Sequence, residues 1–218
     1  MTLRILSCSL AVGLGMTLSV VACGGSTDAT PPPAAPSAAP AAQPAPTPAT
    51  FAINAQNSKI EFTGSKTSTH HDGEFTAFSG SVSVPGAIEK GQVSVDIDTS
   101  SLVIHDPALG PMVDKLMGHL KSPDFFDTAK FAKATFVSSS IAPSASGGSS
   151  YTVTGTLTIH GLSKVISFPA TITAAGGKLD AAATFNINRK DFGMSLLGQP
   201  NDPIKDDVQL RLAVHAAS

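Results

Sequence analysis

From Tyr151 to Ile159 the chain alternates without a break. Tyr151, Val153, Gly155, Leu157 and Ile159 are interleaved with Thr152, Thr154, Thr156 and Thr158. Successive side chains of a strand point to opposite faces, so this run folds with one apolar face and one hydroxyl face. A helix would scatter the same residues around its whole circumference.

The period of two returns from Phe51 to the end of the chain. Ile60 and Phe62 show it first, then Val82 and Val84, then Val93, Val95 and Ile97. Later come Ile166, Phe168, Ala170 and Ile172, followed by Leu179, Ala181, Ala183, Phe185 and Ile187. Val208, Leu210, Leu212 and Val214 close the series. The Thr and Val enrichment of these runs favours strands. Turn residues separate them at His71-Asp72-Gly73, Pro85-Gly86, Gly147-Gly148, His160-Gly161 and Gly176-Gly177. Many short strands joined by turns predict an all-β antiparallel barrel or sandwich. Gly155, Ala170, Ala181 and Ala183 on the apolar face leave room inside, and a barrel of about eight strands is the size that can be either filled or hollow.

Residues 107–127 interrupt the strand pattern. Pro111 suits a helix start, with Met112, Leu116 and Leu120 spaced four apart. Ser122-Pro123 reads as a second helix start with Asp124 beside it. The expectation is two short amphipathic helices capping one end of the barrel. At its end and just beyond, Phe125, Phe126, Phe131 and Phe136 crowd together.

The amino-terminal 50 residues have a different composition. Arg4 precedes an apolar run too short for an ordinary membrane span, and Val20-Val21-Ala22-Cys23 resembles a bacterial lipobox. The expected organisation is a lipoprotein signal peptide over 1–22 and a lipidated Cys23 followed by a disordered Pro/Ala-rich tether over 23–50. The barrel domain is expected over 51–218. Extended at ~3 Å per residue, the tether reaches roughly 80 Å. Gly24, with no Asp at that place, favours an outer-membrane, periplasm-facing location by similarity to enterobacterial lipoproteins. Cys8 and Cys23 are the two cysteines, so the mature domain has no disulfide.

Net charge of −2 gives no electrostatic basis for binding nucleic acid. No Gly-x-Ser-x-Gly elbow or paired carboxylates mark a hydrolase, and no enzyme activity is expected. A metal at His70, His71, His119 or His160 is disfavoured: adjacent strand residues face opposite ways, and no Cys-x-x-Cys or His-x-x-x-His pair exists. Arg189-Lys190-Asp191 reads as a solvated turn or a structural ion pair. No cofactor is expected.

Four stretches resemble the YceI-like family of periplasmic lipid-binding proteins: SKIEFTGSKTSTHHDGEFTAFSG, GHLKSPDFFDTAKFAKATFVSSSI, YTVTGTLTIHGLSKVISFPA and FNINRKDFGMSL with IKDDVQL after it. The likeness runs through most of residues 51–216, in matching order. It implies an extended lipocalin-like barrel whose hydrophobic tunnel binds a polyisoprenoid or another long apolar molecule. Ala132 departs from the Pro that many members carry there, and His105–Pro111 is proline-rich for its place.

On this reading the tunnel wall is drawn from Phe62, Val95, Ile97, Leu157 and Ile159, with Phe168, Phe185 and Leu212. The lid is drawn from Leu116, Leu120, Phe125, Phe126 and Phe136, with Phe131 beside them. The expected partners are an isoprenoid or other apolar lipid, the membrane through Cys23, and a second copy in a homodimer. Two alternatives stay open at this point: a filled barrel acting as an envelope or stress-response scaffold, and an accessory to membrane redox proteins.

Overall fold

The computed structural model describes residues 48–196 and 198–218. The signal peptide, Cys23 and the tether up to residue 47 lie outside the described residues.

Six strands form the first part of the domain: β1 (Ala49–Asn54), β2 (Ser58–Ser65), β3 (His70–Phe75), β4 (Phe78–Val84), β5 (Gln92–Asp98) and β6 (Leu102–Ile104). After a helix, α1 (Met112–Lys121), come β7 (Lys133–Pro143), β8 (Ser150–Ile159), β9 (Leu162–Ala175) and β10 (Lys178–Asn188). The short pair β11 (Gly198–Gln199) and β12 (Asp202–Pro203) precedes the last strand, β13 (Asp207–Ala217).

All pairings in the main sheet are antiparallel, in the order β1-β4-β5-β7-β8-β9-β10-β13-β2-β3-β6. The registers show how these eleven segments curl. β1 pairs with β4 and β2 pairs with β3, so β1–β2 and β3–β4 are two bent strands lying side by side. β5–β6 is a third, pairing with β4 and then β3 around the same corner. Three bent strands and five unbroken ones give eight runs. β13 then pairs back onto β2, completing the circuit. The sheet is thus a barrel whose ladder is interrupted at one corner, where Thr76 and Ala77 separate β3 from β4.

The alternation read in the sequence fixes which face turns inward. In β8, Val153, Gly155, Leu157 and Ile159 are buried. On the outer face Thr154 pairs with Ser167 and Thr158 with Ser163, each at 2.8 Å, tying β8 to β9 through hydroxyls. Gly176 and Gly177, both at positive φ, make the two-residue turn between β9 and β10. His160 and Gly161 make the one before it, with His160 held at φ 51°. Its ring packs against Phe131, with centroids 4.9 Å apart, and its Nδ1 lies 3.2 Å from the Phe192 carbonyl.

His71-Asp72-Gly73 is not the turn its composition suggests. These residues lie inside β3, and the chain reverses over 66–69 instead. A β-carbon at Gly73 would stand 2.5 Å from the Phe62 ring, so glycine is there to admit a neighbouring phenyl group.

The 107–127 stretch holds one α-helix, preceded by a single 3-10 turn at Pro107–Leu109. The expected second helix does not form. Ser122, extended at ψ 169°, ends α1, as a residue before proline tends to. The chain then turns through to Asp127, whose φ is 45°. Phe125 and Phe126 both turn to the interior within that space, and Phe125 is buried.

Candidate functional site

The inward faces of the strands enclose a cavity of about 280 Å³, bordered almost wholly by carbon. One water needs roughly 10–15 Å³ by the same kind of measure, so the interior is not plugged by its own side chains. The cavity extends along the barrel. Leu179, Ile172 and Val84 border it toward the end where β1 begins, while Leu116, Phe125, Ile159 and Met194 border it at the α1 end.

Every wall and lid residue named from the sequence, Phe131 excepted, borders this one cavity. Phe62 and Leu212 stand on the neighbouring strands β2 and β13, Val95 and Ile97 on β5, and Leu157 and Ile159 on β8. At mid-height three rings form a belt. Phe168 and Phe185 stack with centroids 4.1 Å apart and planes at 9°, and Phe136 tilts onto Phe168 at 5.7 Å. Leu116, Leu120, Phe125 and Phe126 reach the cavity from α1 and the turns after it. Phe126 meets Phe75 edge-on at 5.7 Å. Phe131 is the exception: it packs outside the cavity against His160 and Gly161.

Sequence reasoning missed part of the wall. Ile53, Phe75 and Phe78 also border the cavity. They lie on the bent strands, where each corner resets the phase of the alternation. The polar rim was also unmarked. Lys66, His71 and Lys205 border the cavity at the α1 end, brought together because Lys66 pairs with Ile204 and the Lys205 amide donates to the Ser65 carbonyl.

Two coverings close that end. The first is α1, whose Val113, Leu116, Met117 and Leu120 pack on the core although no residue of the helix is fully buried. It is tied down at both flanks. The His71 Nδ1 lies 2.7 Å from Asp106, and this contact holds the Asp106 carboxyl below the usual carboxylate range. Thr99, fully buried, donates its hydroxyl to the Phe131 carbonyl at 2.8 Å.

The second covering is the 189–206 segment. Arg189, 2% exposed, is neither solvated nor free. Its guanidinium donates to the carbonyls of Met194, Ile204 (3.2 Å) and Lys205 (3.0 Å) and to Asp206 (3.1 Å). It is the structural alternative of the sequence reading, and a buried cation so fully engaged serves as a brace.

The remaining histidines are dispersed. His119 lies 3.2 Å from Asp124, His105 2.9 Å from Glu74, and His70 is exposed. Among the described residues no group of three or more His, Cys, Asp or Glu side chains is placed to hold a metal ion.

A sequence profile of the YceI-like domain matches residues 51–216. A UPF0312 protein of Pseudomonas fluorescens (strain SBW25) is 34% identical over 130 residues, covering 56% of this chain. The match spans 62% of that relative, under two thirds of its length. The crystal structure of Burkholderia cenocepacia BcnA aligns with a TM-score of 0.64 at 29% identity, over 76% of this chain and 99% of that one. A polyisoprenoid binding domain from Saccharophagus degradans, implicated in plant cell wall breakdown, aligns with a TM-score of 0.59 at 18% identity. That alignment covers 79% of this chain and 99% of the other, a likeness of fold.

Proposed function

The chain belongs to the YceI-like domain family, and from that premise we propose that it binds and carries a long apolar molecule, a polyisoprenoid or an isoprenoid quinone, in the barrel interior. The observation that carries this reading is the hollow, carbon-lined cavity running from the α1 end toward Leu179. Apolar-ligand binding has support at family level, since a polyisoprenoid binding domain shares the fold. Affinity comes from removing apolar surface from water at roughly 25 cal/mol per Å². The protein supplies a dry wall and a cover that opens, with no covalent step. The cavity favours this reading over a filled scaffold. The signal-like start and Cys23 support a reading in which the chain is exported and acylated and works at the periplasmic face of a membrane, with Gly24 favouring the outer one.

The test is organic extraction and mass spectrometry of the full chain purified from its native host. One long-chain apolar species, near one per protein, is the expected result. Repeated recovery of empty protein overturns the carrier reading.

A further inference from the structure

Between Asp106 and Asp114 the chain reads PALGPMV, with no charge and no side-chain hydrogen-bonding group. Leu109 and Val113 pack down on the core. Pro107, Ala108, Gly110, Pro111 and Met112 are exposed, Met112 by 52%. Among the described residues the large exposed hydrophobic side chains are few, and two of them lie at the end of the barrel where the cavity is covered: Met112, and Leu162, which pairs with Ile159 beside the β8–β9 turn.

Its position is fixed by its neighbours. Ile104, just before the loop, borders the cavity, and so does Leu116, one turn into the helix after it. Asp106 at the loop's base is held by His71, itself on the cavity rim. Lys66 and Lys205 stand on the same rim, and Lys115 is exposed one turn beyond Met112. The first described strand begins at the opposite end, where Ala49 pairs with Val84.

We propose that Pro107–Met112 docks the cavity mouth onto a lipid bilayer, so that cargo passes between membrane and barrel without crossing water. The proposal rests on the carrier reading above. The apolar tip matches the acyl-chain side of the bilayer boundary, where hydrophobic side chains insert. Lys66, Lys115 and Lys205 lie near it, although Asp106 and the exposed Asp114 bound the tip directly and Lys66 stands 3.9 Å from Asp202. Insertion of the tip rather than charge carries the docking. An oily chain released into water exposes its whole surface at once, whereas a seated mouth spares that exposure. The lid suits this use, because α1 has no fully buried residue and can be displaced without opening the barrel core.

The experiment uses the full chain reconstituted in vesicles of phosphatidylethanolamine and phosphatidylglycerol, loaded with a fluorescent polyprenyl alcohol. Equilibrium loading and transfer to acceptor vesicles are measured separately. The double variant Ala108→Asp/Met112→Asp changes exposed side chains, and a thermal melt checks that it folds. Loading within about twofold of wild type with transfer slowed roughly tenfold is expected, since Met burial alone is worth about a factor of ten. Met112→Leu should restore the rate, and Val165→Asp, on the exposed outer wall, should leave it unchanged. Equal transfer by the double variant, or equal slowing by Val165→Asp, overturns the docking proposal while leaving the carrier reading intact. Loss of loading in the folded double variant also overturns it, because the loop would then be part of the binding wall. A wild-type protein that takes up no probe overturns the carrier reading itself and the docking proposal with it.

Discussion

The ring of Phe136 fills the space that a β-carbon on Gly155 would occupy. Such an atom would lie 2.5 Å from that ring and 2.5 Å from the Val137 carbonyl oxygen. The two residues stand on adjacent strands, and the missing side chain of one lets the other lie flat along the inner wall. The phenyl belt at mid-cavity depends on it.

Gly155→Ala therefore forces either the β7–β8 ladder or the Phe136 ring to move. Destabilisation of about 1–3 kcal/mol is expected, measured by urea unfolding. An unchanged midpoint would mean that the wall relaxes freely there.

Ala181 borders the cavity from β10. Leucine at a site facing empty space fills volume instead of overpacking a dense core. Ala181→Leu should leave the melting temperature unchanged or raised while weakening uptake of an apolar fluorescent probe about tenfold. A strongly destabilised variant would show that the interior is closed in solution.

Replacing Arg189 by methionine removes the donors that satisfy three carbonyls in the 189–206 segment. Stability should fall by about 2–4 kcal/mol, since buried carbonyls lose their partners. Limited proteolysis should cut first near 194–206, ahead of any strand of the barrel.

The pH dependence of the lid follows from Asp106, whose carboxyl is held low by His71 and, less strongly, by the Ala108 amide. A carboxyl with a lowered folded pKa contributes stability above the unfolded value of about 3.9 and loses it as pH falls through the folded value. Asp106→Asn should melt below wild type at pH 7. The gap should close toward pH 2. A gap that persists in strong acid would assign the effect to packing.

Cys23→Ser should move the protein from the membrane fraction to the soluble periplasmic fraction of its host, followed by fractionation and immunoblotting. Retention in the membrane pellet would refute acylation as the anchor.

Much of this arrangement was legible in the chain because a strand exposes its burial pattern directly. Alternation at β8 and β10 identified Leu157, Ile159 and Phe185 as inward without any knowledge of partners. The signal faded where the backbone bends. Phe75 and Phe78, three residues apart across the Thr76–Ala77 corner, both face the interior, which a strict period of two forbids. Gly73 was misleading because a glycine needed beneath a phenyl ring looks the same in sequence as one needed in a turn.

By itself the sequence determined the inner face, the sheet class and where the strand pattern breaks, since these follow from local periodicity and backbone preference. Only the tertiary structure decided that three pairs of short strands act as bent single ones and that β13 returns to β2. It alone decided that the enclosed volume stays partly empty. Those outcomes depend on which distant side chains meet across the barrel, and a residue's own face says nothing of how far the opposite wall stands.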